Sequence, residues 1–178
     1  RFTMDDVCDG VVKKLLFRHP HVFGDGHEDS PESVLVSWEQ LKRREKGQNT
    51  VADSMDSVAR SLPSLWRAEK LQKKAAAAGF EWPDVQGALD KLEEEVAELR
   101  RAVENGGDVP DELGDVLFAA VKVGRFCGCD PEDAVNGTCE KFIHRFRAVE
   151  EGAAVRGREV SQLSLEEMTA LWNEAKRS

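Results

Sequence analysis

The sequence predicts an all-α protein, and three observations carry that expectation. Apolar residues recur at three- and four-residue intervals through most of the 178 residues. Period-two alternation of β-branched and aromatic residues, the mark of a half-buried strand, is nowhere sustained. Helix-start signatures punctuate the chain: Ser30-Pro31 and Asp130-Pro131 pair a cap with an N1 proline, and Ser164-x-x-Glu167 is a capping box.

Thr3 with Asp6 starts a first helix that runs to about His19, and HPHVFGDG then reads as a loop. Ser30-Pro31 opens a second helix that ends near Lys46. Residues 47–60, GQNTVADSMDSVAR, are polar and weakly periodic, so they read as a linker between residues 1–46 and residues 61–178. Leu62-Pro63 opens a helix to about Ala78, which GFEWPD breaks. Asp84 begins a long helix to about Glu104, stopped by Asn-Gly-Gly. Pro110 starts the next, ending near Cys127, and Asp130-Pro131 caps another to about Glu150. A Gly- and Arg-containing loop leads to the capping box of the last helix.

Composition narrows the function. Charged residues make up 33% and hydrophobic residues 40%, too apolar for a disordered chain. The balance of 25 Lys plus Arg against 34 Asp plus Glu argues against a nucleic acid polymer as partner, because each phosphate contact needs a cation. No run approaches the roughly 18 apolar residues of a membrane span, and no basic segment followed by an apolar one opens the chain. A cytoplasmic protein without membrane partners is expected. The four cysteines, Cys8, Cys127, Cys129 and Cys139, form no pair of CxxC motifs beside paired histidines, so they read as reduced and mostly core residues, not zinc ligands.

The chain also repeats itself. Asp6, Gly10, Lys14 and Arg18 recur at the same spacing as Asp133, Gly137, Lys141 and Arg145. Ser30, Glu32, Trp38 and Lys42 recur as Ser164, Glu166, Trp172 and Lys176. A helix, a loop and a helix are duplicated, and the first copy lacks the two long helices that precede the second. With Arg1 in place of a methionine, the expectation is a truncated first repeat and a longer parent protein.

The long helix from Asp84 carries an apolar stripe of Val85, Ala88, Leu89, Leu92, Val96, Leu99 and Val103, read as core. Lys91, Glu95 and Glu98 lie along one flank, Glu94 farther round and Glu93 on the opposite flank. The next helix carries Glu112 and Asp115 beside Leu113, Val116, Leu117 and Ala120. Four carboxylates facing one another repel unless a cation intervenes, and hard divalent ions favour such oxygen donors. Lys141 and Arg145, four apart on one face, suit a string of phosphates. Trp172, among Met168, Leu171 and Ala175, either stacks on a base or fills the core. A di-iron bundle is excluded, because Glu140 and His144 are four apart where three is needed. No GxxxxGK[ST] phosphate loop is present.

At these motifs the sequence resembles the MazG-type nucleoside triphosphate pyrophosphohydrolases, all-α enzymes whose signature is EExxE followed after a spacer by ExxD. Here these are Glu94-Glu95-Val96-Ala97-Glu98 and Glu112-Leu113-Gly114-Asp115. The resemblance runs through LPSLWRAEKLQKKAAAAGFEWPD, ELGDVLFAAVKVGRF, DPEDAVNGTCEKFIHRFRAVE and LSLEEMTALW, nearly all of residues 61–172. HPHVFGDG and SPESVLVSWEQLK resemble the end of the family's N-terminal repeat.

The resemblance implies that Glu95, Glu98, Glu112 and Asp115 are catalytic carboxylates and ligands of Mg²⁺, with Mn²⁺ as a substitute. It implies nucleotide-contacting roles for Lys91, Lys141, Arg145 and Trp172, with Glu94 a member of the motif. The implied reaction converts nucleoside triphosphates, ATP included, to monophosphate and pyrophosphate and clears unwanted nucleotides. The implied assembly is a homodimer with its sites inside a helical bundle. No EExxE or ExxD precedes Lys14, Arg18 and Trp38, so no activity is expected from the first half. The competing reading is a noncatalytic helical module for dimerisation or nucleotide sensing.

Overall fold

The computed structural model describes residues 2–18, 20–23 and 50–177. It contains α1 (Met4–Arg18), α2 (Pro20–Phe23), α3 (Val51–Asp56), α4 (Ser64–Ala77), α5 (Val85–Asn105), α6 (Val109–Phe126), α7 (Pro131–Val155) and α8 (Leu165–Ala175), with a 3-10 turn at Val160–Gln162 before α8. The fold is all-α, without a strand among the described residues. None of the described helices is long and apolar enough to cross a membrane.

Local chemistry sets the ends of the helices. Thr3 and Asp6 exchange hydrogen bonds ahead of α1, the Thr3 amide donating to Asp6 Oδ2 at 2.7 Å. Asp84 caps α5 by accepting from the amides of Gln86 and Gly87, and Gly106 ends it in the left-handed region at φ 77°. Asp108 caps α6, Asp130 caps α7 ahead of Pro131, and Ser164 with Glu167 forms the capping box of α8.

Three stretches differ from expectation. Pro20–Phe23, read as loop, is a short helix. Within the polar 47–60 stretch, Thr50 and Asp53 form a capping box that starts α3, a signal in the sequence that the weak apolar period had masked. Helix α7 runs past Glu150 to Val155, because Gly152 serves packing and does not stop it: a Cβ there would come within 2.5 Å of Leu171 Cδ2. The expected helix ending near Lys46, with Ser30, Glu32, Trp38 and Lys42, lies outside the described residues.

The chain divides into two compact units, one of Arg1–Ala59 with Lys73–Phe80, the other of Arg60–Gln72 with Glu81–Ser178. In the first, Lys74 Nζ donates to Ser54 Oγ at 2.5 Å, and α1 leaves Val7, Val11, Leu15 and Phe17 exposed. In the second, α5 folds back on α6 as a hairpin, and α7 packs on α8 around Val149, Ala153, Leu163 and Leu171, flanked by Val160, Met168 and Trp172.

Burial within the α5–α6 hairpin corrects the sequence reading. The buried residues of α5 are Ala88, Glu95 and Ala102, one every two turns, so the seam is built from small side chains and one carboxylate. The turn also packs closely on α5: a Cβ on Gly107 would lie 3.1 Å from Ala102 Cα. Of the larger members of the stripe, Leu89, Val96 and Val103 are exposed, the last two at 44% and 64%, while Val85, Leu92 and Leu99 are half-buried, and Leu113 and Leu117 on α6 are exposed as well. The cysteines are also exposed, not core.

Candidate metal and nucleotide site

The hairpin brings Glu95 of α5 beside Glu112 and Asp115 of α6, with one carboxylate oxygen from each within 4.8 Å of the others. Glu95 is buried at 6% exposure, Glu112 half-buried and Asp115 exposed, so the cluster runs from the seam out to solvent. The seven-residue pattern that buries Ala88 and Ala102 also turns Glu95 inward. Desolvation first, then the charges of Glu98, Asp115, Asp111 and Glu95, push the Glu112 carboxyl above the usual glutamate range. Carboxylate oxygens crowded in this way are the donor set of a hard divalent cation, so the residues fit Mg²⁺ or Mn²⁺.

The fourth expected carboxylate sits apart from that group. Glu98 Oε1 accepts from Arg101 Nη2 at 3.0 Å, and both residues line a concavity of about 400 Å³ with Glu112 and the Gly106–Asp108 turn. Glu98 is thus beside the cluster and engaged by a guanidinium. The sequence reading passed over Arg101, although its spacing of three from Glu98 is that of a helical ion pair.

Lys91 holds the other flank, its Nζ 2.8 Å from Glu95 and 2.9 Å from the exposed Glu94. Hydrogen bonds to Glu95 and then Glu94 raise the proton affinity of its ammonium, which stays charged.

Arg145 and Trp172 come together from α7 and α8. Arg145 Cζ lies 5.7 Å from the indole centre, and the Phe142 ring centre lies 5.0 Å from it. Trp172 is half-buried against the Val149–Leu171 core, so it both fills space and offers an aromatic face to Arg145. Lys141 is exposed one turn before Arg145.

A second charged group, absent from the sequence reading, lies toward the open end of the hairpin. Glu81 Oε1 accepts from Lys122 Nζ at 2.9 Å, and the Arg125 guanidinium meets its other oxygen. Burial pushes the Lys122 ammonium below the usual lysine range. Glu81 lies in the GFEWPD segment, legible in sequence only as a helix breaker.

The profile of the MazG nucleotide pyrophosphohydrolase domain matches residues 84–149. A nucleoside triphosphate pyrophosphohydrolase of Escherichia coli K12 is 40% identical over 181 aligned residues, which cover 99% of this chain and 69% of that protein. The chain belongs to the MazG family.

Two further relatives extend the likeness. The nucleoside triphosphate pyrophosphohydrolase/pyrophosphatase MazG of Thermotoga maritima is 36% identical over 98% of this chain and 66% of its own length. The uncharacterized protein YabN of Bacillus subtilis is 45% identical over 99% of this chain and 37% of its own length. In this MazG-family chain the profile begins at Asp84, the cap of α5, and ends at Val149 in the α7–α8 core. It contains every carboxylate of the cluster together with Lys91, Lys141 and Arg145, while Trp172 lies beyond it.

Proposed function

We propose that this MazG-family chain hydrolyses nucleoside triphosphates to nucleoside monophosphate and pyrophosphate in a Mg²⁺-dependent reaction, with Mn²⁺ as a substitute, and that residues 61–178 carry the activity. The observation behind this reading is the convergence of Glu95, Glu112 and Asp115 within 4.8 Å on neighbouring helices, with Glu98 alongside. In the proposed site these four residues hold the cation. When bound, the cation supplies charge neutralisation along the triphosphate and orients it.

The chain's own residues do the rest. A carboxylate of the set takes a proton from water as the water oxygen bonds to the α-phosphorus. The bond from the α-phosphorus to the bridging oxygen breaks, and pyrophosphate leaves with the electron pair. Arg145 and Lys141 offset the charge that develops on the departing phosphates. The Trp172 face contacts the base or sugar, a contact that tolerates different bases because every base presents a π-face. Glu94 holds Lys91 near the cluster, from where its ammonium would meet a phosphate of the substrate.

The outward stripe of Leu89, Val96 and Val103 on α5, with Leu113 and Leu117 on α6, supports a homodimer that covers these faces with a second copy.

The experiment is product analysis. The purified chain is incubated with a panel of nucleoside triphosphates, with and without Mg²⁺, and pyrophosphate, orthophosphate and nucleotide are followed separately. Equimolar pyrophosphate and monophosphate are expected only with Mg²⁺. Orthophosphate with diphosphate would mean cleavage elsewhere, and nucleotide binding without any product would favour a sensing module.

A further inference from the structure

We infer that Glu81, Trp82 and Lys122 form a clamp that sets the register of α5 against α6, making Glu81 and Lys122 positioning residues for the carboxylate cluster. The inference rests on the reading that this cluster binds a divalent cation.

The hairpin is covalently closed only at Gly106–Asp108. Glu95 lies midway along α5 while Glu112 and Asp115 lie in the first two turns of α6, and like charges within 4.8 Å push the two helices apart. The end away from the turn therefore needs a tie, and the contacts there supply one. Trp82 lies directly on the α5 backbone at Gly87, where a Cβ would come 2.4 Å from the indole Cδ1, so glycine alone admits this approach. Lys122 of α6 lies over the same indole, its Nζ 5.2 Å from the ring centre. The same Nζ donates to Glu81 at 2.9 Å, and Arg125, one turn on, meets the second oxygen of Glu81. The side chains of Lys122, Arg125 and Glu81 are 9%, 15% and 20% exposed, so this ion group is mostly shielded from water.

Distance along the helices makes the tie relevant to the site. Lys122 stands about two turns beyond Asp115 on α6, and Gly87 about two turns before Glu95 on α5. A slip at the clamp carries both rigid helices with it and separates the oxygens of Glu95 and Asp115. Neutralising Lys122 leaves Glu81 facing a single cation, while Arg in its place restores the pairing.

The test uses the full chain, metal-free, titrated with Mn²⁺ and read by the electron paramagnetic resonance signal of the free ion. Comparison is made among wild type, Lys122→Met, Lys122→Arg and Glu81→Gln. Circular dichroism selects variants that are folded at a temperature well below their melting. Lys122→Met and Glu81→Gln are expected to weaken Mn²⁺ binding about 10-fold, the effect typical of groups that orient metal ligands, and Lys122→Arg to recover most of it. Amide hydrogen exchange without metal gives a second readout: protection should fall over residues 85–95 and hold over residues 102–112. Folded Lys122→Met and Glu81→Gln proteins with wild-type Mn²⁺ affinity and unchanged exchange would overturn the clamp. Wild type that binds no Mn²⁺ would sink the cation site instead, and the exchange pattern would then decide the clamp alone.

Discussion

Lys91 Nζ lies 2.8 Å from Glu95, so the most buried carboxylate of the site is neutralised by an ammonium one turn earlier on its own helix. Glu94, at 2.9 Å, shares that ammonium. In the proposed site a divalent cation and Lys91 compete for the same carboxylate. Because Lys91 is partly solvated, the competition is worth only a modest factor. Lys91→Met should therefore tighten Mn²⁺ binding to the nucleotide-free protein by about 2- to 4-fold. The same variant should raise KM for nucleoside triphosphate. Titration with Mn²⁺ and steady-state kinetics on that variant check the two effects, and movement of both in the same direction would refute the exchange.

Carboxylate removal tests the proposed chemistry directly. Glu98→Gln and Asp115→Asn should each lower Mg²⁺-dependent pyrophosphate release by at least about 100-fold while circular dichroism keeps its helical signature. Both residues face solvent or a concavity, so neither exchange opens a cavity in the core. Near-normal turnover in both variants would remove them from the site.

The raised Glu112 carboxyl gives a pH dependence whose sign is fixed. Its folded-state proton affinity exceeds the unfolded one, so its contribution to stability is fully present below the unfolded value, about 4.3, and is lost as pH rises through the folded one. In EDTA, the melting temperature of the wild type should accordingly fall more, or rise less, from pH 4.5 to pH 7 than that of Glu112→Gln. Saturating Mg²⁺ at pH 7 should stabilise the wild type and close that gap. Parallel pH profiles for the two proteins would contradict the crowding of charges.

Helix α5 presents Leu89, Val96 and Val103 outward, and an aspartate among them would oppose their burial by a second copy. Val96→Asp should shift the protein from the proposed dimer to a monomer in size-exclusion chromatography with light scattering. A variant that elutes with the mass of the wild type would place the interface elsewhere.

Trp172 packs on the Val149–Leu171 core and is proposed to contact the nucleotide, and two substitutions separate the two roles. Trp172→Ala should destabilise the protein by about 3 kcal/mol through the cavity left beside Val149 and Leu171, measured by urea denaturation. Trp172→Phe should keep most of that stability and still raise KM, as should Arg145→Met, because each weakens the pair that meets the nucleotide. Unchanged KM in both would leave Trp172 as core alone.

The sequence by itself determined the helical class and most helix ends, because caps, N1 prolines and left-handed glycines act over three or four residues: Asp84, Asp130 and Ser164 work as their spacing requires. It also determined the carboxylate spacing, since Glu95 and Glu98, like Glu112 and Asp115, are separated by a fixed turn of helix. Only the tertiary structure decided which face of α5 is buried. The apolar stripe included Ala88, which is buried, and also Leu89, Val96 and Val103, which stay exposed, whereas Ala102 and Glu95, outside the stripe, are buried with Ala88. Register between α5 and α6 grouped Glu95 with Glu112 and Asp115 and left Glu98 to Arg101. The meeting of Arg145 with Trp172, and of Glu81 with Lys122, likewise depends on how separate helices come together. Local signals carry no record of such pairings, because the energy that selects them comes from packing and charge between segments far apart in the chain.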